Sequence, residues 1–563
     1  MDQATMSMRF PHSLSRYDLL HSSSWSPTAD QVISAIRSHW LSFSFLATLV
    51  ALLLHAYLTF FHRPLRLIRH FQKQGIRGPP FRPILGHMPE VLAGIKETAQ
   101  TGVVFPNLLK WREMYGDVFY YLMGTQVRLA IMTPELGHKI QTATSGPKGT
   151  FQKDAHTRQA YEPLLGSYGL VLAANDVWAR QRKLANPMFY HSKIKDMFPI
   201  MAECSQELIR KWGDKIDTAG GGKVEIEVWA EFGALARDIL CGAVFGDPRG
   251  ATAAYTGQDI YGDFGQLMKD MIAQLLSLGP KLIPGFKYIP TERNRRIAAL
   301  RARVHGMLNS IIENRRQAGA KAAAAHDGHA EYGDDLLGRL LAATDEEGKL
   351  SSVELMDQCK TFFFAGHETT ATAMAWSLAL LAQHPEWQDR ARAEIRSVCG
   401  KNAPDLSMLA ELKVVNIIFS ETLRLFPPLF LASRQTVTPT TLDGVHIPKD
   451  PNLVVVLPVV NYHRDPAVWG DDAAEFRPER FADGVNKAGV NEDELAAARA
   501  YMPFTAGPRT CIGQGFALQE GKLVLATLLQ NFSFSFAPGY KHSVNVGVTL
   551  TPKYGVPMIV ERV

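Results

Sequence analysis

The sequence predicts a mainly α-helical protein with small β-sheets, an α+β body of one domain behind a single N-terminal membrane-spanning helix. Three observations carry that reading. A 22-residue run, "WLSFSFLATLVALLLHAYLTFF" (Trp40–Phe61), holds no Asp, Glu, Lys or Arg. From about Trp178 to His384 the apolar residues recur with a helical period. Beyond Pro427-Pro428 the pattern changes to short strand-like runs, "RQTVT", "LDGVHIP" and "NLVVVLPVV".

Composition sets the bounds. With 46% apolar and 20% charged residues, the 563-residue chain is that of a globular protein with a large core. A net charge of +5 is small for this length, and no basic stripe is interleaved with aromatics, which argues against nucleic-acid binding. The five cysteines lie far apart and form no CxxC pair. They read as free thiols in a reducing compartment, not as a zinc site or disulfide framework.

Taken in order, residues 1–37 are Ser-rich and balance three Arg against three Asp, and they are expected to form a poorly ordered tail. Residues 38–62 contain the anchor. A helix over Trp40–Phe61 extends ~33 Å at ~1.5 Å per residue, enough for a bilayer core. Arg63, Arg66, Arg69, Lys73, Arg77 and Arg82 follow, with no acid before Glu90, so the positive-inside bias places the rest of the chain in the cytosol. A cleaved signal peptide is the competing reading. It fits poorly with so long and late an apolar run followed by arginines instead of a small-residue cleavage site.

Residues 63–87 are expected to be a basic linker ending in "GIRGPPFRPILGH", whose chain breakers exclude a helix interior. The body is expected over 88–563. It opens with the strand-like "DVFYYLMG" and "VRLAIMT". "GGGK" (Gly220–Lys223) reads as a turn, and "QAGAKAAAAHDGHAEYGDD" (Gln317–Asp335), poor in large apolar residues, as a mobile surface loop with solvated histidines. Ser351-x-x-Glu354 is a capping box starting a helix that ends before Pro385. "FALQEGKLVLATLLQNFSF" is an amphipathic helix, and "NVGVTLTPKYGVPMIV" reads as a hairpin. No internal boundary or repeat is visible.

"YMPFTAGPRTCIGQGFAL" (Tyr501–Leu518) frames Cys511 with glycines. Gly507 permits a tight turn. Gly513, lacking a side chain, lets something flat and bulky approach the backbone beside the thiol. The helix starting just after Cys511 directs N–H groups and a positive dipole end at the sulfur, favouring the thiolate, a ready axial ligand for iron. Taken alone, one cysteine in such a turn also fits an inert buried thiol. The spacing Phe504-x-x-Gly507-x-Arg509-x-Cys511-x-Gly513 is more specific. It resembles the haem-ligand loop of the cytochrome P-450 family, which implies that Cys511 is the thiolate ligand of haem b, Phe504 shields the sulfur and Arg509 contacts a haem propionate.

Three further stretches extend the resemblance. In "FFFAGHETTATAMAW" (Phe362–Trp376), Gly366 and consecutive threonines are locally costly in an apolar helix, and Glu368 is an acid on an apolar segment. A tolerated surface turn would look the same. A groove widened at Gly366, with Glu368 and Thr369 set to bond water, would deliver protons. The segment is similar to the family's oxygen-activation motif, which implies Thr369 as the relay hydroxyl and Glu368 as its acid. In "SETLRLFPP", Glu421 and Arg424 share a helix face. With Arg480 of "FRPERF" they match the family's structural triad, which supports the fold and is not catalytic. Trp178 and Arg182, one helical turn apart in "WARQR", and Arg434 match propionate contacts. Arg suits bidentate carboxylate contacts better than Lys.

The resemblance covers about Gly75 to the C-terminus, implies the P-450 fold, and narrows to the plant-centred clan that includes cytokinin, gibberellin and brassinosteroid hydroxylases. "LANPMFYHSKIKDM" with "FFFAGHETT" is similar to cytokinin side-chain hydroxylases. It implies a single-pass enzyme of the endoplasmic reticulum membrane, contacting membrane lipid. Such an enzyme uses O2 to hydroxylate a lipophilic small molecule. The chain has no flavin or dinucleotide fingerprint, so NADPH acts through a separate flavoprotein reductase, with a cytochrome b-type donor as a second partner. Substrate contacts are expected before Trp178, in Asp259–Lys287, Phe363–Gly366, Leu429–Ser433 and Val546–Leu550. A fatty-acid or steroid/terpenoid hydroxylase is the alternative within the class. Outside it stand a haem-thiolate isomerase or dehydratase, against which the intact Glu368-Thr369 pair argues, and a haem-binding sensor.

Overall fold

A computed structural model describes residues 28–563 apart from 145–148, 247–259, 276, 278, 280–282, 284, 326–331, 346, 491–492 and 494. The chain divides at His62 into two units. The first contains helix α1 (Ala29–Tyr57) and a short π-helical turn, Leu58–His62. Trp40, Phe43, Phe45, Leu46, Leu53 and Tyr57 along it are exposed. The run from Ser42 is long and apolar enough to cross a membrane. Helix α1 starts earlier than the tail boundary at residue 37 would have it. Val32, Ile33 and Ile36 continue the helical spacing, and Asp30 sits in the first turn, where an acid complements the dipole. The rest of the expected tail lies outside the described residues.

The second unit opens with α2 (Arg63–Gln72), inside the stretch expected as linker. Pro64, Leu67, Ile68 and Phe71, at i, i+3, i+4 and i+7, are its buried residues. Helices α3 (Met88–Thr101) and α4 (Pro106–Tyr115) follow, then strands β1 (Val118–Met123) and β2 (Gln126–Ile131), α5 (Pro134–Thr142), β3 (Phe151–Gln152), α6 (Ala155–Leu165), α7 (Asn175–Ala185) and α8 (His191–Ala219). Strand β4 (Lys223–Glu227) leads through α9 (Val228–Phe245), α10 (Ile260–Leu275), α11 (Glu292–Ala325) and α12 (Leu336–Asp345) to α13 (Ser352–Gln383). Helices α14 (Pro385–Cys399) and α15 (Lys413–Leu425) precede strands β5 (Ala432–Thr436), β6 (Thr440–Leu442), β7 (Val445–Ile447) and β8 (Leu453–Leu457). Helix α16 (Gln514–Asn531) precedes β9 (Phe532–Phe536), β10 (Val544–Val546), β11 (Leu550–Pro552) and β12 (Pro557–Arg562).

Helix α13 is the axis of the core. Its capping box forms as the sequence predicts: Ser351 accepts from the Glu354 N–H while Glu354 accepts from the Ser351 N–H. It is buried over most of its length and runs against α9. One sheet has the order β1-β2-β8-β5-β3, with β2 and β8 parallel and the other pairs antiparallel.

Two expectations are corrected. The C-terminal segment is only partly a hairpin. Strands β10 and β11 pair, but Gly555, at φ +73°, turns the chain away and β12 pairs with β4 and β9. The supposed loop over Gln317–Asp335 begins as helix, because α11 runs on to Ala325. Alanine has the strongest helix propensity, so a lack of large apolar residues there marks an exposed helix end and not a loop. Residues 326–331 of that segment lie outside the described residues.

Candidate active site

The loop carrying Cys511 is closed by its own backbone. The Cys511 N–H donates to the Phe504 carbonyl (3.0 Å), and the Thr505 hydroxyl donates to the Arg509 carbonyl (3.1 Å). Thr505 and Gly507 both take positive φ, +63° and +72°. A Cβ on Gly507 would come within 2.6 Å of the Thr142 Cα, so glycine is required there for conformation and for space. Gly513 differs. Its φ is an ordinary −88°, and a Cβ there would lie 4.0 Å from the Cys511 Sγ and 3.9 Å from Phe189, at ordinary van der Waals distance beside the sulfur. Helix α16 starts at Gln514, capped by Gly513. Cys511 keeps accessible surface although it lies deep in the protein. Burial pushes its thiol up, outweighing the Gly513 N–H and Arg182, which pull it down. The N–H at the helix start thus acts in the expected direction, toward the thiolate, with burial acting against it. Metal ligation removes such a proton outright.

Cations gather beside this loop. Arg434 is buried; it donates to the Thr144 hydroxyl (3.1 Å), the Ser433 carbonyl (2.8 Å) and the Gln141 side chain, all neutral. Burial lowers it to about 10. Arg509 donates to the carbonyls of Ala173 (2.6 Å) and Leu170 (3.3 Å), and its guanidinium lies 4.4 Å from the centre of the buried Trp178 ring. Burial, then Arg434 and Arg182, bring it down to about 9. Arg182 donates to the Thr510 carbonyl (2.8 Å). Lys153, which sequence reasoning missed, is lowered to about 7 by burial, Arg434 and Arg509. Asp154, the neighbouring acid, is engaged: it caps α6 through the Thr157 N–H (2.9 Å) and accepts from Ser433 (2.5 Å).

On α13, Phe362, Phe363 and Phe364 are buried, while Ala365, Gly366, Glu368 and Thr369 retain accessible surface. The helix is not opened at Gly366: a Cβ there would lie 2.4 Å from Leu240 of α9, so the glycine serves close helix packing. The Thr369 hydroxyl donates back to the Ala365 carbonyl (2.8 Å). Glu368 is raised by burial, with the Thr549 hydroxyl, 2.9 Å from Oε1, acting the other way. His367 is buried, bonded to the Phe363 carbonyl (2.6 Å) and pushed down to about 4 by burial.

The segment from Leu165 to Ala173 joins the two regions. Thr361, Asp357 and Gln358 of α13 bind the Leu165 carbonyl (3.3 Å) and the N–H groups of Tyr168 (3.1 Å) and Leu170 (3.2 Å). Arg509 holds its other end. Gly166 and Gly169 let it lie this close; a Cβ on either would fall about on Asp357 or Thr361, at 1.9 and 2.0 Å.

Glu421 and Arg424 form a fully buried bidentate pair, both contacts 2.7 Å. Arg424 also donates to the carbonyls of His463 (2.7 Å), Ala473 (2.6 Å) and Glu475 (3.0 Å). The Arg480 Nε lies 3.6 Å from Glu421. His463 links this group to the Cys511 loop, since its Nε2 accepts from the Met502 N–H (2.8 Å) and its Nδ1 lies 3.1 Å from the Arg424 carbonyl. Neither His463 nor Thr549 stands in a motif. Only the tertiary path of the strands and loops brings them here.

These residues fit a haem. Arg434, buried on neutral hydrogen-bond partners, and the half-buried Arg182 and Arg509 suit the two propionates of a porphyrin, and Gly513 puts no side chain between a flat ring and the Cys511 sulfur. The comparisons with known proteins agree. The Cytochrome P450 family model matches residues 76–555. Cytochrome P450 CYP72A616 of Paris polyphylla is 35% identical over 519 residues, covering 89% of this chain and 94% of its own. Echinocystic acid 23-monooxygenase of Saponaria officinalis is 34% identical (89% and 94% covered), and the cytokinin hydroxylase of Arabidopsis thaliana 32% (92% and 97%).

Proposed function

The chain belongs to the cytochrome P450 family, and from that membership we propose that it hydroxylates a lipophilic small molecule of isoprenoid character, a cytokinin side chain being one such target. As a P450 monooxygenase it uses haem with a cysteine thiolate ligand and electrons supplied by a reductase. In our reading Cys511 holds the iron, Arg182, Arg434 and Arg509 take the propionates with Trp178, and Lys153 joins them. In the same reading α1, long and apolar enough to span a bilayer, is an endoplasmic reticulum membrane anchor, and residues 88–563 are the cytosolic catalytic domain, fed from NADPH by a separate flavoprotein reductase. The observation that carries the reading is the set of mutually repelling cations, Arg182, Arg434, Arg509 and Lys153, beside a thiol whose neighbour Gly513 carries no side chain.

The haem, when bound, supplies the dioxygen chemistry. The chain's residues do the rest. Phe504 shields the sulfur. Glu368, whose hold on a proton burial strengthens, is the proton donor, and the Thr369 hydroxyl passes the proton on. The apolar surroundings of α13 exclude bulk water. The names of the relatives, a cytokinin hydroxylase and an echinocystic acid 23-monooxygenase, support hydroxylation of an isoprenoid substrate.

The test is incubation of membranes containing this protein and a reductase with isopentenyl-adenine compounds, fatty acids, sterols and diterpenoids, with products read by mass spectrometry. Hydroxylated isopentenyl-adenine or terpenoid, made only with NADPH, is the expected result. Oxidation of fatty acids alone would sink the isoprenoid reading.

A further inference from the structure

The turn between β10 and β11 is held from two sides. The Trp376 indole N–H donates to the Leu550 carbonyl (2.7 Å), and the Leu550 N–H donates to the Pro428 carbonyl (3.3 Å). Trp376 is fully buried and stacked on Phe426, ring centres 4.2 Å apart. Trp376 lies two helical turns beyond Glu368 on α13, so one helix fixes both the turn and the acid. Thr549 therefore meets Glu368 from an anchored backbone, its hydroxyl 2.9 Å from Oε1. The neighbouring hydroxyl, Thr369, instead turns back to its own helix.

We propose that Thr549 is a positioning residue for Glu368: its hydroxyl, donated to Oε1, fixes the carboxyl so that Oε2 carries the proton and releases it toward Thr369. This rests on the monooxygenase reading. When the proton leaves Oε2, the electron pair of the O–H bond stays on the carboxylate, and solvent water later returns a proton. A hydroxyl donating to a carboxylate stabilises the charged form, so Thr549 also makes Glu368 a stronger acid. A hydrogen bond to a charged group is worth a factor of about ten or more.

The experiment uses the purified full-length holoenzyme. Infrared difference spectra locate the carboxylic-acid carbonyl band of Glu368 as the band lost in Glu368→Gln. In Thr549→Val that band moves to higher frequency, and product formed per NADPH falls about tenfold while hydrogen peroxide rises. Thr549→Ser, which keeps the hydroxyl, restores both. A band that stays in place in Thr549→Val, or coupling that is unchanged or not rescued by Ser, overturns the proposal. Thr549→Ala provides a second apolar variant if the valine form does not retain haem. Should the wild-type enzyme hydroxylate nothing, the monooxygenase reading fails, while the infrared comparison still decides whether Thr549 holds Glu368.

Discussion

Gly507 and Gly513 stand six residues apart and are glycine for different reasons, which makes them separable by experiment. Gly507 combines a positive φ with backbone contact to Thr142. Gly507→Ala is expected to cost about 1–3 kcal/mol from strain alone and to lower the melting temperature even without haem. At Gly513 there is room for a methyl group in the apo-protein, so Gly513→Ala should leave apo stability within about 0.5 kcal/mol while reducing haem bound per chain. Equal apo melting temperatures for the two variants would contradict the distinction. Cys511→Ala should abolish hydroxylation and the thiolate-type carbon monoxide spectrum. A variant retaining full activity would remove Cys511 from the role proposed here.

Among the elements, α13 shows how far sequence reasoning reaches. Its start was legible because a capping box is a local pattern, and its end because Pro385 cannot continue a helix. Gly366 was misjudged because its reason, the Leu240 side chain, comes from α9. Gly366→Ala is expected to destabilise by about 1–3 kcal/mol through overpacking, and Leu240→Ala in the same chain to relieve the clash. Urea unfolding of the two single variants and the double variant reads this non-additivity. Helix α16 offers a further test. Glu520 is buried, raised well above its usual range by that burial. A raised acid contributes stability below its unfolded value of 4.5 that is lost as pH rises. Glu520→Gln should therefore gain on the wild type in melting temperature as pH rises above 4.5. A constant difference across that range would count against it.

For the whole molecule, the pH response follows from two neutral histidines. Burial lowers His463 to about 3 and His367 to about 4, from an ordinary 6.5. Below 6.5 the unfolded chain takes up protons that the folded one refuses, so stability is complete above that pH and falls as pH drops. Each histidine contributes a slope of about 1.4 kcal/mol per pH unit. Denaturation midpoints from pH 6 to 5 should fall less steeply in His463→Gln than in the wild type. The overall architecture was legible because motifs are dense and strands and helices differ in period. The links between distant segments were not. His463 reaching Met502, Thr549 reaching Glu368 and Lys153 joining Arg434 and Arg509 all depend on side chains far apart in sequence, with no local spacing to reveal them.

The segment from Leu165 to Ala173 has a thermodynamic consequence. Its two ends are bound by Asp357, Gln358 and Thr361 of α13, the helix that carries Glu368 and Thr369, and by Arg509, two residues before Cys511. A ligand that displaces this strap would alter the setting of Arg509, one of the cations that would hold the haem propionates. By reciprocity, any factor by which such a ligand changes cofactor affinity must equal the factor by which the cofactor changes affinity for that ligand. Haem retention measured with and without each candidate substrate would then rank substrates by how hard they pull on one short piece of chain.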